Sequence, residues 1–172
     1  MRAKFLNLAV PAIAAVIILS SLTTAHALEE DRGKGPFEPL LGWWQGTGHL
    51  FLKGGKHEPV KCRATYRWSD EESKLLQSVR CATAGGKVEV KSEIGHVGNE
   101  LSGSWKELIY DLAGDLTGKI NDAGFKVSVS GATLKANMDV MVKGAKQIIE
   151  IQFHENSTLL GMTIVADRGS SH

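Results

Sequence analysis

The chain has 172 residues, with 20 Lys and Arg against 19 Asp and Glu and a formal charge of +1. That length is one domain, and so even a balance gives no electrostatic case for nucleic acid, which calls for a clustered basic surface. Nineteen glycines, four prolines and short apolar runs point to an all-β chain with many tight turns.

Arg2 and Lys4 open the chain, Phe5 to Leu22 is mostly apolar, and Thr24-Ala25-His26-Ala27 ends with small residues at the two positions a signal peptidase reads. Residues 1–27 therefore read as a signal peptide cleaved after Ala27. The competing reading, an uncleaved anchor, is weakened by Asn7, Pro11 and the Ser20-Ser21 pair. Cleavage removes Arg2 and Lys4 and no acid, taking the charge from +1 to −1. No later stretch is apolar and long enough to span a bilayer, and a lipoprotein would need a cysteine at the cleavage point, whereas the two cysteines are Cys62 and Cys81. The expectation is a periplasmic or secreted protein in an oxidising compartment, with no stable membrane span after cleavage.

Residues 28–39 are charged and contain Gly33, Gly35, Pro36 and Pro39, so they read as a leader; 40–167 read as a β-barrel domain and 168–172 as a flexible tail. Within the domain, apolar and polar residues alternate with period two. Turns are predicted at Lys53–Lys56, Ser69–Lys74, Ala84–Gly86, Gly98-Asn99, Asn121–Gly124, Gly131-Ala132, Gly144-Ala145 and Asn156-Ser157, a spacing that suits hairpins joined in sequence. No amphipathic helix and no internal repeat is apparent.

Opposed residues of an antiparallel hairpin have a constant sum of numbers, so a register follows. With Trp68 opposite Leu75, Tyr66 meets Gln77, Ala64 meets Val79 and Cys62 meets Cys81, all on the apolar face. The cysteines thus become a cross-strand pair, which supports a disulfide over two free thiols. Next, Val79 meets Val90, Gln77 meets Ser92, Ser92 meets Trp105 and Val90 meets Glu107, with Arg80 opposite Glu89 outside. Beyond that the series sets Glu107 opposite Gly118, then Val127, Ala136 and Phe153, and places Ile109 inward. One apolar face shared by about ten strands needs closure, and up-and-down order with short turns favours a single antiparallel barrel.

The first strand carries Leu41-Gly42-Trp43-Trp44-Gln45-Gly46-Thr47-Gly48, the pattern Gly-x-Trp-x-Gly-x-Gly. It resembles the opening of a calycin-type barrel, the group of lipocalins, fatty-acid-binding proteins, avidins and nitrobindins. The resemblance implies that Trp44 closes one end of the barrel. Nitrobindins ligate haem through a late histidine, but the alternation Ile149, Ile151, Phe153 sends His154 outward. His49, His57 and His96 show no metal spacing, so no metal or cofactor is expected.

Inside the barrel, Tyr66, Gln77 and Ser92 fall side by side next to Trp105. This polar row either orients a small amphipathic ligand or is an internal hydrogen-bond network. Glu107 shares the face of Trp105, and a buried carboxylate needs a partner; a bulge before Ile109 would turn it outward instead. Leu108–Ala113 is the most apolar connection and reads as a portal lid, a partner patch or a strand end. Phosphate loops, nucleophile elbows and zinc-binding helices are missing, so no catalytic residue is assigned and an enzyme is not expected. Two functions remain. One is a barrel holding a small apolar or amphipathic molecule, lined by Trp44, Tyr66, Gln77, Ser92, Trp105 and Glu107, for carriage or sensing. The other is a barrel filled by side chains such as Trp68, Phe125 and Met138, acting as an envelope structural or protein-interaction module.

Overall fold

The period-two alternation becomes ten strands in the computed structural model, which describes residues 35–71, 73–154 and 158–169. They are β1 Gly42–Leu52, β2 His57–Ser69, β3 Lys74–Ala82, β4 Lys87–Val97, β5 Glu100–Glu107, β6 Leu112–Asn121, β7 Gly124–Gly131, β8 Lys135–Lys143, β9 Lys146–Phe153 and β10 Leu159–Arg168. Each pairs antiparallel with its chain neighbours, and β1 pairs with β10, so the sheet is one closed up-and-down barrel without an edge. Residues 1–27, read as a signal peptide, and the turn expected at Asn156-Ser157 lie outside the described residues. Among the described residues no helix is long and apolar enough to cross a membrane.

Closure of the barrel is where the glycine motif acts. A Cβ on Gly48 would lie 1.7 Å from the carbonyl oxygen of Thr163 on β10, and one on Gly46 2.7 Å from that of Val165. Only bare backbone lets β1 come this close to β10.

The registers of β2–β3, β3–β4 and β4–β5 are those expected, from Cys62 opposite Cys81 to Ser92 opposite Trp105. Cys62 and Cys81 are bonded, with Cα atoms 4.1 Å apart, and outside the barrel Arg80 meets Glu89 at 2.9 Å. Two registers differ. Glu107 lies opposite Leu112, and Gly118 opposite Leu101, because β5 ends at Glu107 and the chain reverses in the four residues Leu108–Asp111. That reversal puts Ile109 at the surface instead of inside. Val127 pairs with Met138 in place of Ala136, because the β7–β8 turn closes on a hydrogen bond from Gly131 N to Leu134 O. Both shifts are even, so inner residues remain inner.

The segment read as leader also differs. Gly35–Leu40 is a short 3-10 turn whose Phe37 and Leu40 are buried, so its packing makes it part of the barrel. Phe37 stacks on Phe125 at 5.9 Å between ring centres and meets His96 edge-on at 5.4 Å. At the other terminus Arg168 belongs to β10 rather than to a tail, and Gly169 N donates to Trp43 O.

These contacts define two unlike ends. The rim formed by the starts of the odd-numbered strands and the ends of the even-numbered ones carries the buried residues Phe37, Leu40, Trp44, Tyr66, Leu75, Leu101, Phe125 and Gln147, and is closed. The opposite rim carries the half-exposed Val88, Leu108, Ile109 and Tyr110.

Candidate functional site

Between the two rims lies a cavity of about 390 Å³. Its wall is mostly aliphatic and aromatic, from Leu75 and Phe125 near the closed end to Met138, Phe153 and Met162 nearer the mouth. Phe125 and Met138 do not fill the lumen.

The polar row is assembled as the register requires. Gly42, Tyr66, Gln77, Ser92, Trp105, Gly114 and Gly131 follow one another across seven consecutive strands. Barrel strands tilt against the axis, so this row climbs from the first residue of β1 at the closed rim to the last residue of β7 at the mouth. Tyr66 therefore belongs to the floor, and Trp105 to the upper wall.

On the floor, Gln147 is fully buried and its amide nitrogen donates to the Tyr66 hydroxyl at 3.1 Å, while the Gln77 amide donates to the same oxygen at 3.4 Å. Burial pushes the Tyr66 phenol above its ordinary pKa, partly offset by the hydrogen bonds of Gln147 and Gln77. The hydroxyl is thus held neutral. Gln147 went unremarked in the sequence, although it precedes Ile149, Ile151 and Phe153 in strict alternation on the inner face.

Trp105 has a bed made for it. Its indole N–H donates to Ser130 O at 3.2 Å, and its ring lies against Gly131, where a Cβ would stand 2.8 Å from Cζ2. With its polar atom committed to backbone, the indole offers the lumen only an apolar surface. Ser92 lies between Gln77 and Trp105 and also lines the cavity.

Trp44 does not line the cavity. It is fully buried below the floor, its N–H donating to Leu40 O at 2.7 Å. Arg168 covers its ring, with Cζ 4.5 Å from the centroid, and donates to the carbonyls of Leu41 and Pro39. Trp44 closes the barrel's end, as the resemblance implied, together with Phe37 and Arg168.

Glu107 points inward at the mouth and is 4% exposed. Its carboxylate accepts the backbone N–H groups of Glu89 at 2.9 Å, Ile109 at 2.9 Å and Tyr110 at 2.5 Å. Burial raises its pKa, but the backbone donors of Glu89, Tyr110 and Ile109, with Leu108 nearby, outweigh this and leave it below the ordinary glutamate value. Glu107 is therefore an ionised group that builds the β5–β6 turn. The turn in turn carries Tyr110, 62% exposed, over the mouth, where its hydroxyl lies against Gly86.

His154 is exposed after the end of β9. His49 and His57 stand 5.7 Å apart between ring centres on the outer wall, and no group of three metal-ligating side chains occurs among the described residues.

No protein-family model and no curated protein matches the sequence. Solved structures match the fold. Rv2717c from M. tuberculosis aligns with a TM-score of 0.68 at 13% identity, covering 80% of this chain and 97% of that one. The S-type phycobiliprotein lyase CPES from Guillardia theta aligns with a TM-score of 0.58 at 11% identity, covering 79% and 92%. At such identities the likeness is one of architecture, a single closed antiparallel β-barrel of ten strands, consistent with a calycin-like all-β barrel.

Proposed function

We propose that this protein binds a small apolar or amphipathic molecule in the barrel lumen and carries or senses it without turning it over. The observation behind this reading is the unfilled cavity of about 390 Å³, closed at one rim and bordered by half-exposed apolar residues at the other. Ligand pockets generally fall between about 300 and 1,000 Å³, with apolar walls and few convergent polar groups. The likeness in fold to a phycobiliprotein lyase is consistent with a barrel that binds a ligand. The amino-terminal pattern through Ala27 and the Cys62–Cys81 bond support export to an oxidising compartment, such as a periplasm.

Native mass spectrometry of the full chain, expressed and exported by a bacterial host, tests the reading. A native mass exceeding the denatured mass, with the excess released on unfolding, is expected. A bare native mass together with no uptake of the uncharged probe N-phenyl-1-naphthylamine would overturn it in favour of the protein-interaction module. The denatured mass also checks cleavage after Ala27 and loss of two hydrogens at the disulfide.

A further inference from the structure

The charges around the lumen are distributed in a way that restricts its occupant. Among the described residues lining the cavity there is no Lys, Arg or His, and the only carboxylate is Glu107. The polar groups at the floor are a phenol and two amides, Tyr66, Gln77 and Gln147, with the Ser92 hydroxyl beside them. Arg168 lies beyond Trp44, engaged with two backbone carbonyls.

An anionic head would be buried without a counterion after passing the Glu107 carboxylate at the mouth, and such burial is strongly unfavourable. An ammonium head meets no anion except Glu107, whose oxygens already accept three backbone N–H groups. The Tyr66 hydroxyl is itself engaged with Gln77 and Gln147, but the part-buried Gln77 amide lines the cavity and spends one N–H on that contact, so its second N–H and its carbonyl oxygen can meet a hydroxyl or carbonyl head. Amides and hydroxyls both donate and accept, and their hydrogen bonds need no countercharge.

We infer that the lumen selects a neutral amphiphile, an apolar chain or ring system bearing a hydroxyl or carbonyl, with that head at the Tyr66, Gln77 and Gln147 floor, and rejects carboxylates and ammonium ions. This rests on the proposed binding function and names the class of its ligand. The raised pKa of Tyr66 agrees, since it keeps the floor free of a phenolate.

Displacement of N-phenyl-1-naphthylamine from the full chain by 1-decanol, decanoate and decylamine at pH 8 tests the inference. 1-Decanol is expected to displace the probe at a concentration at least tenfold lower than either charged analogue. Gln77→Met, which keeps the shape and removes the amide, is expected to weaken 1-decanol about fivefold, the loss of one neutral hydrogen bond. It should leave the probe and decanoate within twofold. Decanoate or decylamine equal to 1-decanol overturns the neutral class while leaving lumen binding intact. Unchanged 1-decanol affinity in Gln77→Met, or an equal loss for the probe, overturns the placement of the head at the floor. Failure of the probe to bind at all, together with a bare native mass, overturns the lumen reading and this inference with it.

Discussion

Arg168, the last residue of β10, lies with its guanidinium carbon 4.5 Å from the ring centre of Trp44 on β1. The same guanidinium donates to the carbonyls of Leu41 and Pro39, while the Trp44 N–H donates to Leu40 O. One side chain thus ties the last strand to the first and holds down the turn bearing Phe37, the plug of the closed end. Arg168→Leu is expected to cost about 2 to 3 kcal/mol, below the full sum of a cation–π contact and two charged hydrogen bonds because the guanidinium is partly exposed. Arg168→Lys recovers less than half, since an ammonium cannot fork to two carbonyls while stacked on the indole. Urea midpoints of the three proteins decide this; an unchanged midpoint for Arg168→Leu would refute it.

Gly131 is fixed by its neighbour's size. An added Cβ would sit 2.8 Å from Cζ2 of Trp105 and 2.9 Å from the carbonyl of Ala113. Gly131→Ala is therefore expected to push the indole off the wall into the cavity, at a cost of about 1 to 3 kcal/mol for overpacking. Near-ultraviolet circular dichroism should change, and uptake of N-phenyl-1-naphthylamine should fall. Full probe affinity in a stably folded Gly131→Ala protein would show that Trp105 does not bound the binding space.

The difference between what the sequence conveys and what only the structure conveys follows from contact range. Cys62 and Cys81 anchor a hairpin, and the fixed parity of β-strands carries that register as far as Trp105 and Glu107. It fails at Leu108-Ile109-Tyr110, which looks like strand because it is apolar, whereas the carboxylate of Glu107 gathers its backbone into a turn. Phe37 and Arg168 sit in segments with the composition of loops. Their partners, Phe125 and Trp44, lie far along the chain and become neighbours only when the barrel closes. Gln147 was legible from alternation alone, but its pairing with Tyr66 spans the unfolded chain's length between β2 and β9.

The bridge between β2 and β3 closes a chain segment with a sequence separation of 19. In the chain-entropy account a loop of about this length is worth about 3 kcal/mol. Reduction, or the double change Cys62→Ala with Cys81→Ala, is expected to lower the unfolding free energy by that order while leaving the far-ultraviolet spectrum that of a barrel. Equal urea midpoints with and without reductant would show that the hairpin's own pairing already provides this constraint.

Tyr66 predicts behaviour in alkali. Its phenol has a folded-state pKa above the ordinary value because burial disfavours the phenolate. The unfolded chain therefore releases this proton first, near pH 10. The contribution is fully present below that pH and is lost as pH rises through the higher folded value. Tyr66→Phe should be less stable at neutral pH by about 1 to 3 kcal/mol, since the buried amide of Gln147 and the part-buried amide of Gln77 lose a partner, and its stability should decline less steeply above about pH 10. Parallel alkaline slopes for the two proteins would contradict the assignment.

Glu107 predicts the opposite edge of the pH range. Its folded-state pKa lies below the ordinary glutamate value: burial opposes ionisation, but the N–H groups of Glu89, Tyr110 and Ile109 outweigh it. As pH falls, the unfolded chain takes up the proton first, near pH 4.3. The stability Glu107 contributes is thus complete above that pH and is lost on acidification through the lower folded value. Glu107→Gln keeps the shape but replaces a charged acceptor by a neutral one, and an amide nitrogen facing N–H donors is repelled. A loss of about 1 to 3 kcal/mol at pH 7 is expected, together with a flatter acid limb below about pH 4.3. Hydrogen exchange at Ile109 and Tyr110 should accelerate with it, because their N–H groups lose the acceptor that folds the turn. Were those two amides to remain protected in Glu107→Gln, the turn at the mouth would be held by something other than this carboxylate.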